Sequence, residues 1–421
     1  MTYRFLHTAD VHLDSPLKTL ALRNPELSEV IGLATRRAFV RIIDLCLEEQ
    51  VDALVLAGDL YDGDQTSMKT ARFLAEQLRR LHEAGIKSFI IRGNHDALSR
   101  ITTELVMPDS VKVFGATAET VAIDRAPGHF PVVIHGLSFA KPHAPESLLV
   151  RYQPPVPDTV NIGIMHTSLG GSEKHDLYAP CSVTDLQRSG FRYWALGHIH
   201  KRSIVEGALS AVVMPGIPQG RDINEDGPKS VSLVTIRDDK SVVVEERQTS
   251  VAQFERLEVD VSGASDWKEM IGTIFKKMED LRSVVEADHL VTRLEITGSN
   301  ELAWRVRRDL DLVRTEMETR GAVIGNVWID KVHTSCVPPS RSENRSGALE
   351  ELVTIIDKEV KDSTDYQQDV RAIADELRGQ LPPELRDIFG ADEISFQRIL
   401  RSFAREGSSD VVARLRGGEG E

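Results

Sequence analysis

One pattern recurs along the first half of the chain: a short apolar run that stops at an acidic, amide or imidazole side chain. Tyr3-Arg4-Phe5-Leu6-His7-Thr8 leads into Asp10-Val11-His12. Ala53-Leu54-Val55-Leu56 leads into Gly58-Asp59, and Ser88-Phe89-Ile90-Ile91 into Gly93-Asn94-His95-Asp96. Asn161-Ile162-Gly163-Ile164 precedes Met165-His166-Thr167, and Tyr193-Trp194-Ala195-Leu196 precedes Gly197-His198-Ile199-His200. Such runs read as short buried strands. Helical periodicity lies between them. Phe39, Ile42, Ile43, Leu45 and Cys46 share one broad face of a helix from Ala34 to Glu49. Ser67 caps a second helix running to about Ala84, where Gly85 ends it.

Shorter β segments follow at 111–114, 120–123 and 132–135, then a Pro-rich ordered loop at 141–158 and a helix near 182–189. Strands at 211–214 and 230–236 close the region, with 242–246 pairing by hairpin. Parallel βαβ units first and a β-meander later predict an α/β domain over residues 1–250, two packed sheets with helices outside. Residues 254–334 alternate strand (254–261), helix (267–281), strand (290–296), charged amphipathic helix (301–320) and strand (323–332), a second compact α/β domain. Residues 335–346 read as a linker, 347–416 as helical, and 417–421 as a frayed tail. Leu349, Leu352, Val353, Ile356 and Val360 fall at helical spacing, and Leu381-Pro382-Pro383 breaks the pattern.

At 421 residues the chain is too long for one ordinary core. No apolar run reaches the roughly 20 residues that span a bilayer, and the first residues read as a strand instead of a signal peptide. Three widely spaced cysteines, Cys46, Cys181 and Cys336, fit reduced packing thiols and a cytoplasmic location. The net charge of −14 argues against a chain that coats DNA by itself. It leaves a nucleic-acid enzyme possible, because bound divalent ions invert the local charge.

The strand-end residues carry the chemistry. In open α/β sheets ligands bind outside the carboxyl ends of the strands. Asp10 and His12, two apart on extended chain, point the same way, and so do His198 and His200. A carboxylate has two oxygens, so Asp59 can bridge two ions about 3.5–4 Å apart. This assigns Asp10, His12, Asp59 and His200 to one ion, and Asp59, Asn94, His166 and His198 to the other. Mixed oxygen and nitrogen donors without thiolate suit Mn²⁺, Fe²⁺ or Zn²⁺ and disfavour a structural zinc site. His95 lies beside a ligand without being needed as one. It is placed to donate a proton to a leaving oxygen or to stabilise transition-state charge. Asp62 and Asp96 are candidates to orient a ligating histidine. Taken singly each motif is weak; five in order, each ending an apolar run, point together to a dinuclear centre.

That set resembles the calcineurin-like metallophosphoesterases, whose signature reads Asp-x-His, Gly-Asp, Gly-Asn-His-(Asp/Glu), His and Gly-His-x-His. All seven ligand positions and His95 match. More finely, His7-Thr8-Ala9-Asp10-Val11-His12-Leu13-Asp14-Ser15-Pro16-Leu17 looks like the YhaO-type branch of the SbcD DNA-repair nucleases. So do Pro215-Gly216-Ile217-Pro218-Gln219-Gly220-Arg221 and Glu225-Asp226-Gly227. The resemblance implies a two-sheet sandwich flanked by helices, a small capping domain and C-terminal helices. It implies an exo- or endonuclease subunit that hydrolyses DNA phosphodiesters with an SMC-like coiled-coil ATPase of the SbcC or YhaN kind. Its capping domain would guide DNA, and residues 347–416 would dock on the partner. A homodimer through helices near 20–45 or 67–84 is also implied. Two other functions compete: a phosphoesterase acting on nucleotides or other small phosphoesters, and a non-catalytic scaffold for an ATPase.

The remaining polar residues have two readings each. Arg221 could fork onto substrate phosphate or form a loop ion pair. His7 lies inside a strand, which favours a satisfied core histidine. His135 and His143 are spare, and His175 sits in a loop after His166. Arg305, Arg307, Arg308 and Arg314 could track a DNA backbone, but interleaved Asp309, Asp311 and Glu316 favour a solvated, salt-bridged face.

Overall fold

A computed structural model describes residues 2–15, 25–61, 67–97, 107–170, 178–207, 209–339, 348–361, 363–381, 386, 389–390 and 392–417. Two compact units emerge, Met1–Glu255 with Val284–Val291, and Arg256–Ser283 with Thr292–Glu421.

The first unit holds two six-stranded sheets. One contains β1 (Tyr3–Thr8), β2 (Ala53–Ala57), β3 (Lys87–Ile91), β4 (Val111–Val113), β11 (Ser230–Ile236) and β12 (Val242–Gln248), in the order β12-β11-β1-β2-β3-β4. Strands β1 to β4 are parallel, while β11 and β12 are antiparallel additions at one side. The other contains β5 (Glu119–Ile123), β6 (Val132–Gly136), β7 (Val160–His166), β8 (Tyr193–Gly197), β9 (Ser203–Glu206) and β10 (Ala211–Met214), in the order β5-β6-β7-β8-β10-β9. Its inner four strands are parallel, with antiparallel β5 and β9 at the edges.

Alternation along each strand decides which core it feeds. Phe5, Val55 and Phe89 face the other sheet and meet Ile134, Ile162, Ile164, Ala195 and Val213. Their neighbours Leu6, Leu54, Leu56 and Ile90 face outward. There they pack on Phe39, Ile42 and Ile43 of helix α2 (Ala34–Glu48) and on Leu74, Leu78 and Leu81 of helix α3 (Met68–Glu83). Helix α1 (Pro25–Gly32) precedes them. On the far side Met165, Trp194, Leu196 and Val212 pack on Leu186 of the short helix α4 (Val183–Arg188). Full burial of each such side chain contributes roughly 1.5–3 kcal/mol. Ser67 caps α3 as its sequence predicts, accepting from the backbone N–H of Lys69 at 3.1 Å.

The second unit takes in the greater part of β13 (Ala252–Asp260), α5 (Trp267–Val284) and β14 (His289–Thr297), then α6 (Ala303–Arg308), α7 (Leu310–Ile324) and β15 (Val327–Thr334), with sheet order β13-β14-β15. The expected single helix over 301–320 is two. Asp309 leaves helical geometry at φ −109° and ψ 32°, and its carboxylate takes Arg308 at 2.8 Å in its place. The second helix runs past 320 to Ile324, so the strand begins at Val327 instead of 323. Gly325 at φ +95° makes the turn that an L side chain resists.

The described residues of 348–417 are mainly helical, as the apolar spacing predicts: α8 (Ala348–Ile355), a π turn at Ile356–Val360, α9 (Thr364–Gln380) and α10 (Glu393–Gly417). Ala374 of α9 packs on Phe396 and Leu400 of α10. Helix α10 also lies on α6, where Arg307 and Asp410 pair at 3.2 Å. Ile373 and Leu377, one turn apart on α9, remain 61% and 50% exposed. Among the described residues no helix is long and apolar enough to cross a membrane.

Candidate metal centre

Because β1, β2 and β3 run parallel, as do β7 and β8, the carboxyl ends of each set share one edge. Cross-links between the exit loops set the side chains. Asp10 N–H donates to the Gly58 carbonyl at 3.0 Å, and His12 N–H to the Asp59 carbonyl at 3.1 Å. The His198 N–H donates to both Asp10 oxygens, at 3.0 and 2.9 Å, which ties the two sheets together at the site. The His95 N–H donates to Asp59 Oδ1 at 3.0 Å. Asp10, His12, Asp59 and His198 all have positive φ, 53°, 46°, 51° and 101°. Non-glycine residues rarely hold that conformation, and where they cluster the strain marks a functional site.

The donors fall into two groups. Ligand atoms of Asp10, His12 and His200 lie within 4.8 Å of one another, and so do those of Asp59, His166 and His198. His12 Nε2 and His200 Nε2 stand 3.2 Å apart. His166 Nε2 stands 3.0 Å from Asn94 Oδ1 and 3.3 Å from Asp59 Oδ2. The far ring nitrogens are engaged: His166 Nδ1 faces the Ala57 carbonyl at 2.9 Å, and His200 Nδ1 faces Glu225 Oε1 at 2.7 Å. An imidazole that donates through Nδ1 to a carbonyl or carboxylate presents a lone pair at Nε2. In the neutral rings those lone pairs converge with carboxylate and amide oxygens. That donor set fits two divalent cations and contains no thiolate.

The profile of the calcineurin-like phosphoesterases matches residues 3–202, and that of the metallophosphoesterase YhaO middle domain matches 254–337. The uncharacterized metallophosphoesterase YhaO of Bacillus subtilis (strain 168) is 34% identical over 297 residues, covering 70% of this chain and 72% of the relative. The chain belongs to the YhaO family of calcineurin-like metallophosphoesterases. More distant similarity extends to proteins named for DNA work. A DNA double-strand break repair protein Mre11 from Methanopyrus kandleri is 25% identical, covering 68% of this chain and 63% of that protein. The SbcD component of the SbcCD nuclease of B. subtilis is 24% identical, covering 55% of this chain and 66% of that protein.

In this YhaO-family site, burial and charge divide the ionisable groups. Burial works against ionisation of Asp59, but the positive charge and hydrogen bond of His166, then His12 and His95, hold its carboxyl far below the usual range. Burial also opposes a charge on His166; Asp59 overrides it and raises the imidazole to about 9. Without a cation these two therefore form an ion pair. Burial pushes His12 and His198 down to about 3 and Asp10 up to about 6. Asp96 rises to about 7, through burial first and the Asp59 charge second.

The structure brings all seven expected ligand residues and His95 to one edge. Asp96 is buried, and its carboxylate accepts from the Leu60 N–H at 3.0 Å and the Gly93 N–H at 2.6 Å. It orients the two exit loops, not a histidine ring. Gly93 permits the approach, since a Cβ there would run into Asp59 and His166. Asp62 and His175 lie outside the described residues. Arg221 is paired with Glu225: its Nη2 donates to Oε1 at 2.8 Å and its backbone N–H to Oε2 at 2.7 Å. His7 is a satisfied core histidine, with Nδ1 at 2.9 Å from the Tyr193 hydroxyl and Nε2 at 3.0 Å from the Leu196 carbonyl. His135 is likewise buried against Asn161. Arg305, Arg308 and Arg314 pair with acidic side chains of their own stretch, as the salt-bridged reading expects, whereas Arg307 pairs with Asp410 of α10.

Sequence reasoning passed over Glu225 as a partner of His200, and the Ala57 carbonyl as a partner of His166. The first carried a faint signal in the Arg221-to-Glu225 spacing; the second is backbone and carries none. A cleft of about 880 Å³ opens over Asn94, His95, His198 and His200, with Tyr178 and Ser168 on its wall.

Proposed function

We propose that this chain is a metal-dependent nuclease subunit that hydrolyses DNA phosphodiester bonds in a two-ion site, in DNA repair or end processing. Asp10, His12, Asp59 and His200 would hold one ion, and Asp59, Asn94, His166 and His198 the other, with Mn²⁺ the expected metal and Fe²⁺ or Zn²⁺ as alternatives. The observation that carries the reading is the convergence of two donor groups, through the Asp10–His198 and Asp59–His166 contacts, beneath an open cleft. The step from phosphoesterase to nuclease is supported by the relatives named for double-strand break repair and nuclease activity.

Two divalent ions in such a site supply Lewis acidity to a phosphoryl group and lower the pKa of water. The chain's own residues do the rest. Asp10 and Asp59, both buried, fix the donor atoms before substrate arrives. The two turns they stand on are locked by backbone bonds from Asp10 to Gly58 and from His12 to Asp59, and by the Asp10 carboxylate accepting from the His198 N–H. His95 is exposed to the cleft while its backbone is held on Asp59, so its ring can reach the leaving oxygen with a proton. His95→Ala should lose at least about 100-fold in diester hydrolysis while still binding metal. Full activity in that variant would remove His95 from the mechanism.

The partner in this reading is an SMC-like coiled-coil ATPase. Exposed Ile373 and Leu377 on one face of α9 are the anchors a partner helix would cover. The sheet and helices of 256–334 are read as a capping domain for DNA.

A further inference from the structure

The two metal positions are oriented by partners of different charge. On one side His166 donates through Nδ1 to a neutral backbone carbonyl, that of Ala57, at 2.9 Å. On the other, His200 meets the Glu225 carboxylate at 2.7 Å. Glu225 is itself held. Arg221 binds it through its backbone N–H at 2.7 Å, through Nη2 at 2.8 Å and through Nε at 3.2 and 3.3 Å. The Asp222 side chain caps the turn between them, accepting from the Asn224 N–H at 2.7 Å. The Arg221 guanidinium is thus engaged by Glu225, with its Nη2 also 3.4 Å from His200 Nδ1.

We infer that Arg221 and Glu225 form a positioning pair for His200, which makes the Asp10–His12–His200 position the tighter of the two metal positions. The inference rests on the two-ion reading of the site. A carboxylate behind a ligating imidazole fixes its tautomer and ring plane and raises its donor strength; a carbonyl does the first two and less of the third. The His200 side also carries the second anion, since Asp10 belongs to its group while Asn94 on the other side is neutral. The Arg221 guanidinium, paired with Glu225 and 3.4 Å from His200 Nδ1, offsets part of that charge, but Asp10 still leaves the His200 side the more negative, so the two ions bind in order, the His200 side first.

The test is a calorimetric titration of the full chain with Mn²⁺ after chelation, paired with Mn²⁺ electron paramagnetic resonance. Wild type is expected to take up two ions in separable steps and to show a spin-coupled pair at two equivalents. Glu225→Gln keeps the shape and removes the charge; it should weaken the tighter step by about 10–100-fold and leave the other within about threefold. At two equivalents its spectrum should then be mainly that of isolated ions. Arg221→Lys keeps the charge beside Glu225 but loses the fork, and should weaken the same step by less. Unchanged titrations and spectra in Glu225→Gln would overturn the positioning role while leaving the two-ion reading intact. Equal weakening of both steps would overturn the asymmetry. No Mn²⁺ uptake by wild type would remove the two-ion reading and the inference with it. A melting curve of each variant without metal separates these results from loss of the fold.

Discussion

The Nε2 atoms of His12 and His200, carried by loops 188 residues apart in sequence, stand 3.2 Å from each other. His200 donates through its other nitrogen to Glu225, so in the neutral ring a lone pair faces the His12 ring. Two imidazoles in that relation repel or share a proton unless a cation lies between them. Burial keeps His12 neutral, with a pKa of about 3, which readies it as a ligand at ordinary pH. Cations should therefore stabilise the fold. Saturation at about 100 times the dissociation constant adds about 2.7 kcal/mol per site. Thermal melts of the chelated chain with and without Mn²⁺ check this: the midpoint should rise by several degrees, and the rise should shrink in His12→Ala.

Asp96 supports both sets of ligands at one remove, by holding the Leu60 and Gly93 N–H groups. Asp96→Ala leaves two buried donors without that acceptor. Each costs about 1–3 kcal/mol, so the variant should lose roughly 2–6 kcal/mol of stability in urea denaturation and bind metal more weakly. Asp96→Asn keeps one acceptor oxygen and should lose less.

His7 gives a pH dependence with a definite sign. Burial lowers its pKa from 6.5 to about 3. Between those values the unfolded chain binds a proton that the folded chain refuses, so stability falls as pH falls from about 6.5 toward 3. The slope from this group reaches at most about 1.4 kcal/mol per pH unit. The difference between urea midpoints of the metal-free wild-type and His7→Gln chains from pH 7 to 4 measures it, separating it from His12 and His198, which shift the same way. His7→Gln, which is unable to titrate, should flatten that slope.

How much of this was legible follows from where the information sits. Asp10, Asp59, His166 and His198 were legible because parallel strands deliver their carboxyl ends to one edge, and apolar runs reveal strands. The outward and inward core faces were legible from alternation, as at Phe5 and Leu6. The helix break at Asp309 was not, since no Gly or Pro marks it and the pairs of Asp309 with Arg305 and Arg308 are local ones that a continuous helix also allows. The strand Ser203–Glu206 was missed because it is a four-residue exposed edge whose two apolar residues, Ile204 and Val205, are adjacent and show no alternation. The positive φ of Asp10 and His12 is imposed by neighbouring loops and is invisible to spacing. Arg221 shows the limit of residue type: it suits a phosphate and a carboxylate equally, and the fold gives it Glu225.

The most direct measurement is cleavage of labelled linear duplex and single-stranded DNA by the purified full chain with Mn²⁺, beside Asp59→Ala, with bis-(p-nitrophenyl) phosphate scored in parallel. The two-ion nuclease reading predicts metal-dependent cleavage of DNA and diester by wild type, both lost with Asp59→Ala. Adding the coiled-coil ATPase proposed as its partner should preserve or enhance the DNA cleavage. Diester hydrolysis with intact DNA in the presence of that partner would contradict the nuclease reading and assign the site to small phosphoesters.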